Sequence, residues 1–312
     1  MRLAILGATS QMAKDFILQL QDSHTLMLFS RRPQEVDAFM QNAGLRDYLS
    51  FGYHVLPDTQ WYVDAVINFV GVGDPAKVTA MGADIFPITY KYDELALRFL
   101  RRPNTKYIFI SSGAAYGDVF DVDPAGVDTK ATFPTSPLPQ HYYGLAKRQA
   151  EVRHRTLQDK HIVDVRVFNY ISGTQDINLN FMVMNMIRAV KNNEVMPVDM
   201  TNLVRDFVGP EDVTRLIMCI LTTPGVNSAV DCFTRGPITK NELLANMKRT
   251  YGLKFEVTSP TFVSPTGLKT FYYSRNRAAR QLTYHPQYGS WANIQRSEEH
   301  TSELQSLRHL VC

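Results

Sequence analysis

Short apolar runs closed by glycine or polar residues alternate along this chain with longer stretches whose apolar residues recur every three to four positions. Arg2-Leu-Ala-Ile-Leu-Gly7 has the first pattern and predicts a buried parallel strand. Gln11–Leu20 has the second and predicts a helix, with Thr9 or Ser10 as its cap. Strands are expected at Thr25–Ser30, Phe51–Leu56, Asp64–Val70, Thr105–Ile110 and Ile162–Phe168, with long helices over Asp84–Arg102 and from Pro139 past Glu151. The third and fourth strands lie close in sequence, so the crossover helix between them is expected to be missing or reduced. Alternation at this spacing predicts an α/β fold with a doubly wound parallel sheet over residues 1–168. Residues 169–295 are expected to form mainly a smaller lobe with one strand returning to the sheet. There, helices are expected from Asn180-Phe181 to about Lys191 and over Lys240–Lys248.

Composition narrows the class. The chain has 312 residues, 45% hydrophobic and 20% charged, with a net charge of +3 and no basic run, which argues against a nucleic-acid footprint. No apolar run reaches the length of a membrane span, and the N-terminus enters a strand without a charged-then-apolar leader. Three cysteines make no disulfide framework, and the histidines show no metal-ligand spacing, so a metal-free cytoplasmic protein is expected.

Chemistry enters at a helix. Of the 15 tyrosines, Tyr143 alone has a lysine four positions on, Lys147, which puts both side chains on one helical face. An ammonium beside a phenol favours the phenolate, and a tyrosine tuned this way exchanges protons with a carbonyl or alcohol oxygen. Glu151, a turn further, reads as a solvated acid. The strand–turn–helix around Gly7 and Ala8-Thr-Ser10 aims backbone amides and a positive helix end at a phosphate. At the end of the second strand, Ser30-Arg31-Arg32 has two guanidinium groups and no acid, which suits the 2′-phosphate of NADP better than the ribose hydroxyl of NAD. Asn68, Phe69, Val70 and Gly71 fall at the carboxyl end of the fourth strand, where open parallel sheets bind ligands.

The turn Gly7-Ala-Thr-Ser-Gln-Met-Ala13 resembles the Gly-x-x-Gly-x-x-Gly turn of the short-chain dehydrogenase/reductase superfamily, with Ser10 and Ala13 replacing two glycines. Ser111-Ser-Gly-Ala-Ala-Tyr-Gly117 and Tyr143-Gly-Leu-Ala-Lys147 resemble segments of its extended members, the NAD-dependent epimerase/dehydratase family. The likeness runs from Met1 to about Pro286. It implies a Rossmann domain holding NADP (NAD being possible) through Gly7, Thr9, Ser10, Gln11, Met12, Ser30, Arg31, Arg32, Asp58 beside adenine, Asn68, Phe69, Val70, Gly71, Ser111, Tyr143 and Lys147. It further implies Tyr143 as acid/base, Ser112 as the hydroxyl orienting the reacting oxygen, and Lys147 as the tuning cation. Asn169-Tyr-Ile-Ser-Gly173 and Val204-Arg-Asp-Phe-Val208 resemble the blocks whose Asn and Arg meet the sugar and the diphosphate of a nucleotide sugar, which implies Asn169, Asn180 and Arg205 as substrate residues. Dehydratases of the family carry Asp-Glu after the serine; here Gly113 and Ala114 stand there, so dehydration is not expected.

The expected activity is therefore reduction or epimerisation of a nucleotide-sugar carbon, with 4-keto-sugar reduction preferred. A reductase of a non-nucleotide carbonyl compound and a non-catalytic NADP-binding module remain as rivals. The resemblance also implies a homodimer packed through the Asp84–Arg102 and Tyr143–Lys160 helices, and Asn276–Pro286 as the closing helix and turn. Residues 296–312, whose Arg296–Ser306 portion resembles a translated sequencing adaptor, are expected to be a tail outside the fold.

Overall fold

The computed structural model describes residues 1–20, 24–56, 62–100, 102–199, 201–258 and 269–300. The first half alternates strand and helix: β1 (Arg2–Leu6), α1 (Gln11–Leu20), β2 (Thr25–Ser30), α2 (Pro33–Asn42), β3 (Tyr48–Gly52), β4 (Ala65–Asn68), α3 (Pro75–Met81), α4 (Ile85–Leu97), β5 (Lys106–Ser112), α5 (Pro139–Thr156) and β6 (His161–Val167). The second half has shorter strands: β7 (Asn169–Tyr170), α6 (Met182–Asn192), β8 (Val195–Val198), β9 (Val204–Arg205), β10 (Phe207–Val208), α7 (Pro210–Thr222), β11 (Ser228–Asp231), β12 (Ile238–Thr239), α8 (Lys240–Tyr251), β13 (Lys254–Val257), β14 (Phe271–Tyr272) and α9 (Ser290–His300).

Seven parallel strands form the central sheet in the order β11-β6-β5-β4-β1-β2-β3, the doubly wound arrangement expected from the apolar pattern. Its strands read as unbroken apolar runs because both faces are covered. Leu3, Ile5, Leu26 and Leu28 face α1, α2 and α7, while Ala4, Leu6, Met27 and Phe29 share a core with Ala96 of α4 and Ala150 of α5. A separate core, with Val183, Met186, Leu243, Leu244 and Ile294, joins α6, α8 and α9 in the smaller lobe.

Four elements differ from the sequence expectation. The third strand begins at Tyr48, because its ladder with β2 runs from Leu26↔Tyr48 to Ser30↔Gly52. Beyond Gly52 the chain tightens into a 3-10 turn, Tyr53–Val55, which carries the Tyr53 hydroxyl to the Gly7 amide at 2.8 Å. The long helix expected from Asp84 starts at Ile85 and stops at Leu97, since Phe99 and Leu100 turn into the core. A helix the sequence reading did not anticipate, α3, precedes it. The expected closing helix is a short 3-10 turn, Ala278–Leu282, ended by Thr283 at φ +64° as Tyr284 enters the core and donates to the Phe233 carbonyl. The last described helix is α9, in which Arg296 pairs with Glu211 at 2.7 Å and the Ser297 side chain is buried.

The contact that places the chemistry is α5 on β5. A Cβ added at Gly144 would lie 2.3 Å from the Ala114 carbonyl oxygen, so only glycine lets the helix sit this close to the turn after β5. One residue on from Tyr143, that closeness fixes how far the phenol stands from Ser112. Gly144→Ala is expected to lower stability by about 1–3 kcal/mol, read as a fall in the midpoint of thermal unfolding.

Candidate functional site

The carboxyl ends of β1, β4 and β5 line up at one edge of the sheet, where open parallel sheets form their ligand groove. Its floor is the Gly7 turn, where φ is +78° and an added Cβ would meet the Val70 nitrogen at 2.9 Å. Ser10 accepts the Ala13 amide at 3.3 Å as the cap of α1, and Lys14 closes the first helical bond on the Ser10 carbonyl. The amides of Gln11 and Met12 are thereby left facing out of the helix end, as anion binding requires. The Gln11 side chain is tied to Asp15 and Thr174, and Met12 packs against the core. Thr9 is half-buried beside them. At the end of β2, Ser30 is buried and accepts the Arg32 amide at 3.0 Å; Arg32 pairs with Glu35, while Arg31 is exposed and acts on Tyr53 beside the Gly7 turn. Asp58 lies outside the described residues.

Asn68 and Ser111 act through other groups. The Asn68 amide donates to the Tyr107 hydroxyl at 3.0 Å and its oxygen accepts the Val70 amide at 2.9 Å, so it shapes the turn leading to Gly71. Phe69 packs on Phe16, its ring centroid 5.6 Å away. Ser111 donates to Glu151 at 2.7 Å. Alternation along β5 sends Ser112 to the other face, towards the groove.

There Ser112 stands beside Tyr143, close enough to act on its phenol. Lys147, 3% exposed, donates to the Ile110 carbonyl at 2.8 Å and stands 4.4 Å over the Phe109 ring and 6.0 Å from the centre of the Tyr143 ring. Burial lowers its pKa to about 8, against the opposing pull of Asp93, Glu151 and Asp164. Burial raises the Tyr143 phenol, with the neighbouring Ser112 opposing it. The expectation of a lysine-lowered phenol is therefore corrected: Lys147 turns its ammonium towards the β5 backbone, and desolvation decides the direction of the Tyr143 shift. A neutral phenol with a raised pKa and a second hydroxyl alongside can donate a proton to one oxygen. Lys147 also lies against Gly71, 3.4 Å from where a Cβ would be, so it faces the same groove as the Gly7 turn. The cradle at Gly7, the open amides, Arg31 and this ammonium fit a dinucleotide of the NAD(P) type. The helix end would hold its phosphates, Ser30 and Arg31 the adenosine ribose, and Lys147 the other ribose.

The opposite wall comes from the lobe. β9 brings in Arg205, whose guanidinium donates to the carbonyls of Val204 and Thr270 at 2.9 and 3.3 Å. Burial lowers Arg205 to about 10 and Lys269 to about 8, and neither takes part in a described ion pair. Asp206, beside Arg205 in sequence, is instead buried against Thr234 and Ser290. Asn169 donates to the carbonyls of Asp206 and Tyr272, stitching β7 to this wall, and Asn180 accepts from Asn185 at 3.1 Å on the exposed rim. Tyr272, unforeseen from the sequence, reaches across with its hydroxyl 3.3 Å from Ser112 Oγ.

Residues 4–230 match the family model described as NAD dependent epimerase/dehydratase family. The chain belongs to that family. Its members are NAD-dependent enzymes, and the doubly wound sheet is theirs. Among curated proteins no sequence matches. Among solved structures, UDP-glucose 4-epimerase from Thermotoga maritima with UDP-glucose is similar, with a TM-score of 0.77 at 16% identity over 98% of this chain and 100% of that one. UDP-N-acetylglucosamine 4-epimerase from Methanobrevibacter ruminantium, in complex with UDP-N-acetylmuramic acid, gives 0.76 at 15% identity, covering 98% of each chain. UDP-glucuronic acid 4-epimerase from Bacillus cereus, solved with UDP-glucuronic acid and NAD, gives 0.74 at 16% over 97% and 100%.

Behind this family member's groove lies a layer of buried charge. Glu151, expected to be solvated, is 1% exposed and takes a bidentate grip from Arg166 at 2.8 and 2.6 Å. Arg166 also faces Asp231, which accepts from Tyr116 and Ser274. Lower on α5, His154 is fully buried between Asp164 at 2.6 Å and Asp93 at 2.8 Å. Neither cluster was legible beforehand, because a period-3.6 pattern read for apolar residues passes over a buried polar stripe. Lys269 and Tyr272 had only the weak signal of belonging to an aromatic run. Burial opposes the charge on His154, but its hydrogen bonds to Asp164 and Asp93 outweigh that and lift its pKa to about 9. A raised folded-state pKa contributes stability that is complete below the unfolded value near 6.5 and lost as pH rises through about 9. Urea unfolding at pH 6 to 10 should show that loss, and His154→Gln should flatten it while lowering stability throughout.

Proposed function

We infer that this chain catalyses NAD(P)-dependent hydride transfer at a sugar carbon of a nucleotide sugar, with reduction of a 4-keto sugar preferred. The observation that carries the reading is the meeting of Ser112, Tyr143 and Lys147 at the carboxyl end of β5, on the same groove as the Gly7 turn. The nicotinamide cofactor, when bound, supplies or accepts the hydride. Ser112 orients the reacting oxygen by a hydrogen bond. Tyr143 gives that oxygen its proton in the reductive direction, which suits a phenol held neutral by burial. Lys147 keeps positive charge beside the developing alkoxide. Arg205 and Lys269 face the substrate end, where a diphosphate offers the charge that two half-buried cations need.

Support for reduction over epimerisation comes from Ser30-Arg31-Arg32. Exposed guanidinium groups at the end of β2 favour NADP, which a reductase must exchange at each turnover. NAD accompanies similar solved epimerases, so an epimerase with tightly held NAD is the second reading. Gly113 supports leaving dehydration aside: an added Cβ would fall 2.4 Å from the Phe168 ring, so the position cannot carry a carboxylate without rearrangement. Apolar surface at Ile88, Tyr90 and Val152 along α4 and α5 supports a homodimer through those helices.

Incubation with NADPH or NADH and a panel of nucleotide sugars and their 4-keto derivatives tests the reading: net NADPH loss marks a reductase, isomer formation without loss an epimerase, and no reaction overturns it. Tyr143→Phe should lower kcat about 10²–10⁴-fold while sparing cofactor binding by calorimetry. The rate should fall above about pH 8 as Lys147 loses its proton, and Lys147→Arg should move that limb upward. Arg31→Ala should cut the preference for NADPH over NADH about tenfold, seen as a rise in KM for NADPH.

A further inference from the structure

Tyr272 touches each part of the wall opposite the cofactor groove. Its hydroxyl lies 3.3 Å from Ser112 Oγ, the same oxygen that accepts the Ala114 amide at 3.2 Å, and stands close enough to Tyr143 to act on its phenol. Its ring is wedged edge-on between Phe120 and Phe168, with centroids at 4.9 and 5.2 Å, and Lys269 Nζ stands 4.8 Å over its face. Its backbone is paired with Arg205 across the β14–β9 ladder. One six-membered ring thus bridges from the cation wall to the two hydroxyls, and its oxygen sits where an oxygen must sit to bond Ser112. A six-membered sugar ring carrying an anion at one end and a carbonyl at the other would need the same span.

We propose that Tyr272 is a specificity-determining gate: its hydroxyl competes with the reacting oxygen of the substrate for Ser112, and an anionic group held by Arg205 and Lys269 supplies the binding that displaces it. This rests on the hydride-transfer reading of the same site. Displacement exchanges the phenol's bond to Ser112 for one to the incoming oxygen, which leaves little net gain at the reacting end. The gain comes from the far end, where Arg205 and Lys269 exchange poor solvation for a paired anion. Remote binding of this kind drives rearrangement at the reacting centre. A carbonyl compound without the anion has no such gain and is refused, although it would fit the chemistry at Ser112 and Tyr143.

Tyr272→Phe tests this, because it keeps the ring between Phe120 and Phe168 and removes only the hydroxyl. The probe is tetrahydropyran-4-one, a neutral ketone the size of a sugar ring, titrated into the NADP complex and followed by ligand-observed NMR. The variant is expected to bind it about tenfold more tightly than the parent. In turnover, the ratio of kcat/KM for a 4-keto nucleotide sugar to that for the probe should fall about tenfold, through KM for the probe. Equal probe affinity in the two proteins overturns the gate whether or not either turns over, and a parallel fall for both substrates overturns it in favour of a role in the chemistry. Loss of activity in Tyr143→Phe is read separately, so failure of the hydride-transfer reading and failure of the gate are distinguishable.

Discussion

Helix α5 lies against the turn after β5, with the Ala114 carbonyl where a side chain at Gly144 would be, and the site takes its dimensions from that approach. The helix is held there by polar bonds to the sheet: Lys147 to the Ile110 carbonyl and Glu151 to Ser111 on β5, and Glu151 to Arg166 on β6. These bonds are buried, and removing one partner of such a pair strands the other at a cost of about 3–5 kcal/mol. Apolar packing alone allows a helix to slide and rotate by fractions of a turn at little cost. A bidentate guanidinium on Glu151 does not. The phenol of Tyr143 meets Ser112 because Lys147 and Glu151, further along the same face of α5, have their partners fixed by geometry as well as by area.

Charge is distributed unequally about that helix. Behind it, Asp93, His154, Asp164, Glu151, Arg166 and Asp231 satisfy one another within a few ångströms, so the layer is rigid and internally paired. In front, Lys147, Arg205 and Lys269 carry charge that burial disfavours, with carbonyls or aromatic faces as their immediate company. Paired charge holds the scaffold, and under-compensated charge of one sign faces the groove. The same protein interior makes one set inert and leaves the other dependent on an anion.

The two halves of the groove come from chain segments far apart, and the lobe's contribution is small in sequence. β9 and β14 are two residues each, yet they deliver Arg205 and Tyr272 to positions facing β5. Short strands suffice because Asn169 and Asp206 fasten them to β7, Thr234 and Ser290 at several points. In this arrangement few substitutions suffice to change the lobe's wall, while the opposite side stays as α5 and β5 set it.

What the sequence determined by itself was periodicity and local chemistry. Apolar runs placed six strands of the sheet and α1 to within a few residues, and the pairing of Tyr143 with Lys147 needed only a helix of 3.6 residues per turn. The strand read to Ile110 put Ser111 and Ser112 just past its end, and the resemblance to the family singled out Ser112. Tertiary structure decided everything that depends on who lies across from whom. β3 took its register from β2 and its end from the reach of Tyr53 to Gly7. Glu151 became a buried anchor because Arg166 of β6 lies beneath it, and Lys147 turned to the backbone of β5, so burial set the direction of the Tyr143 shift. Tyr272 entered the site from 160 positions beyond Ser112. Local patterns encode the angle at which a side chain leaves its own element, and no local pattern encodes the partner that element will meet after the chain has crossed the sheet.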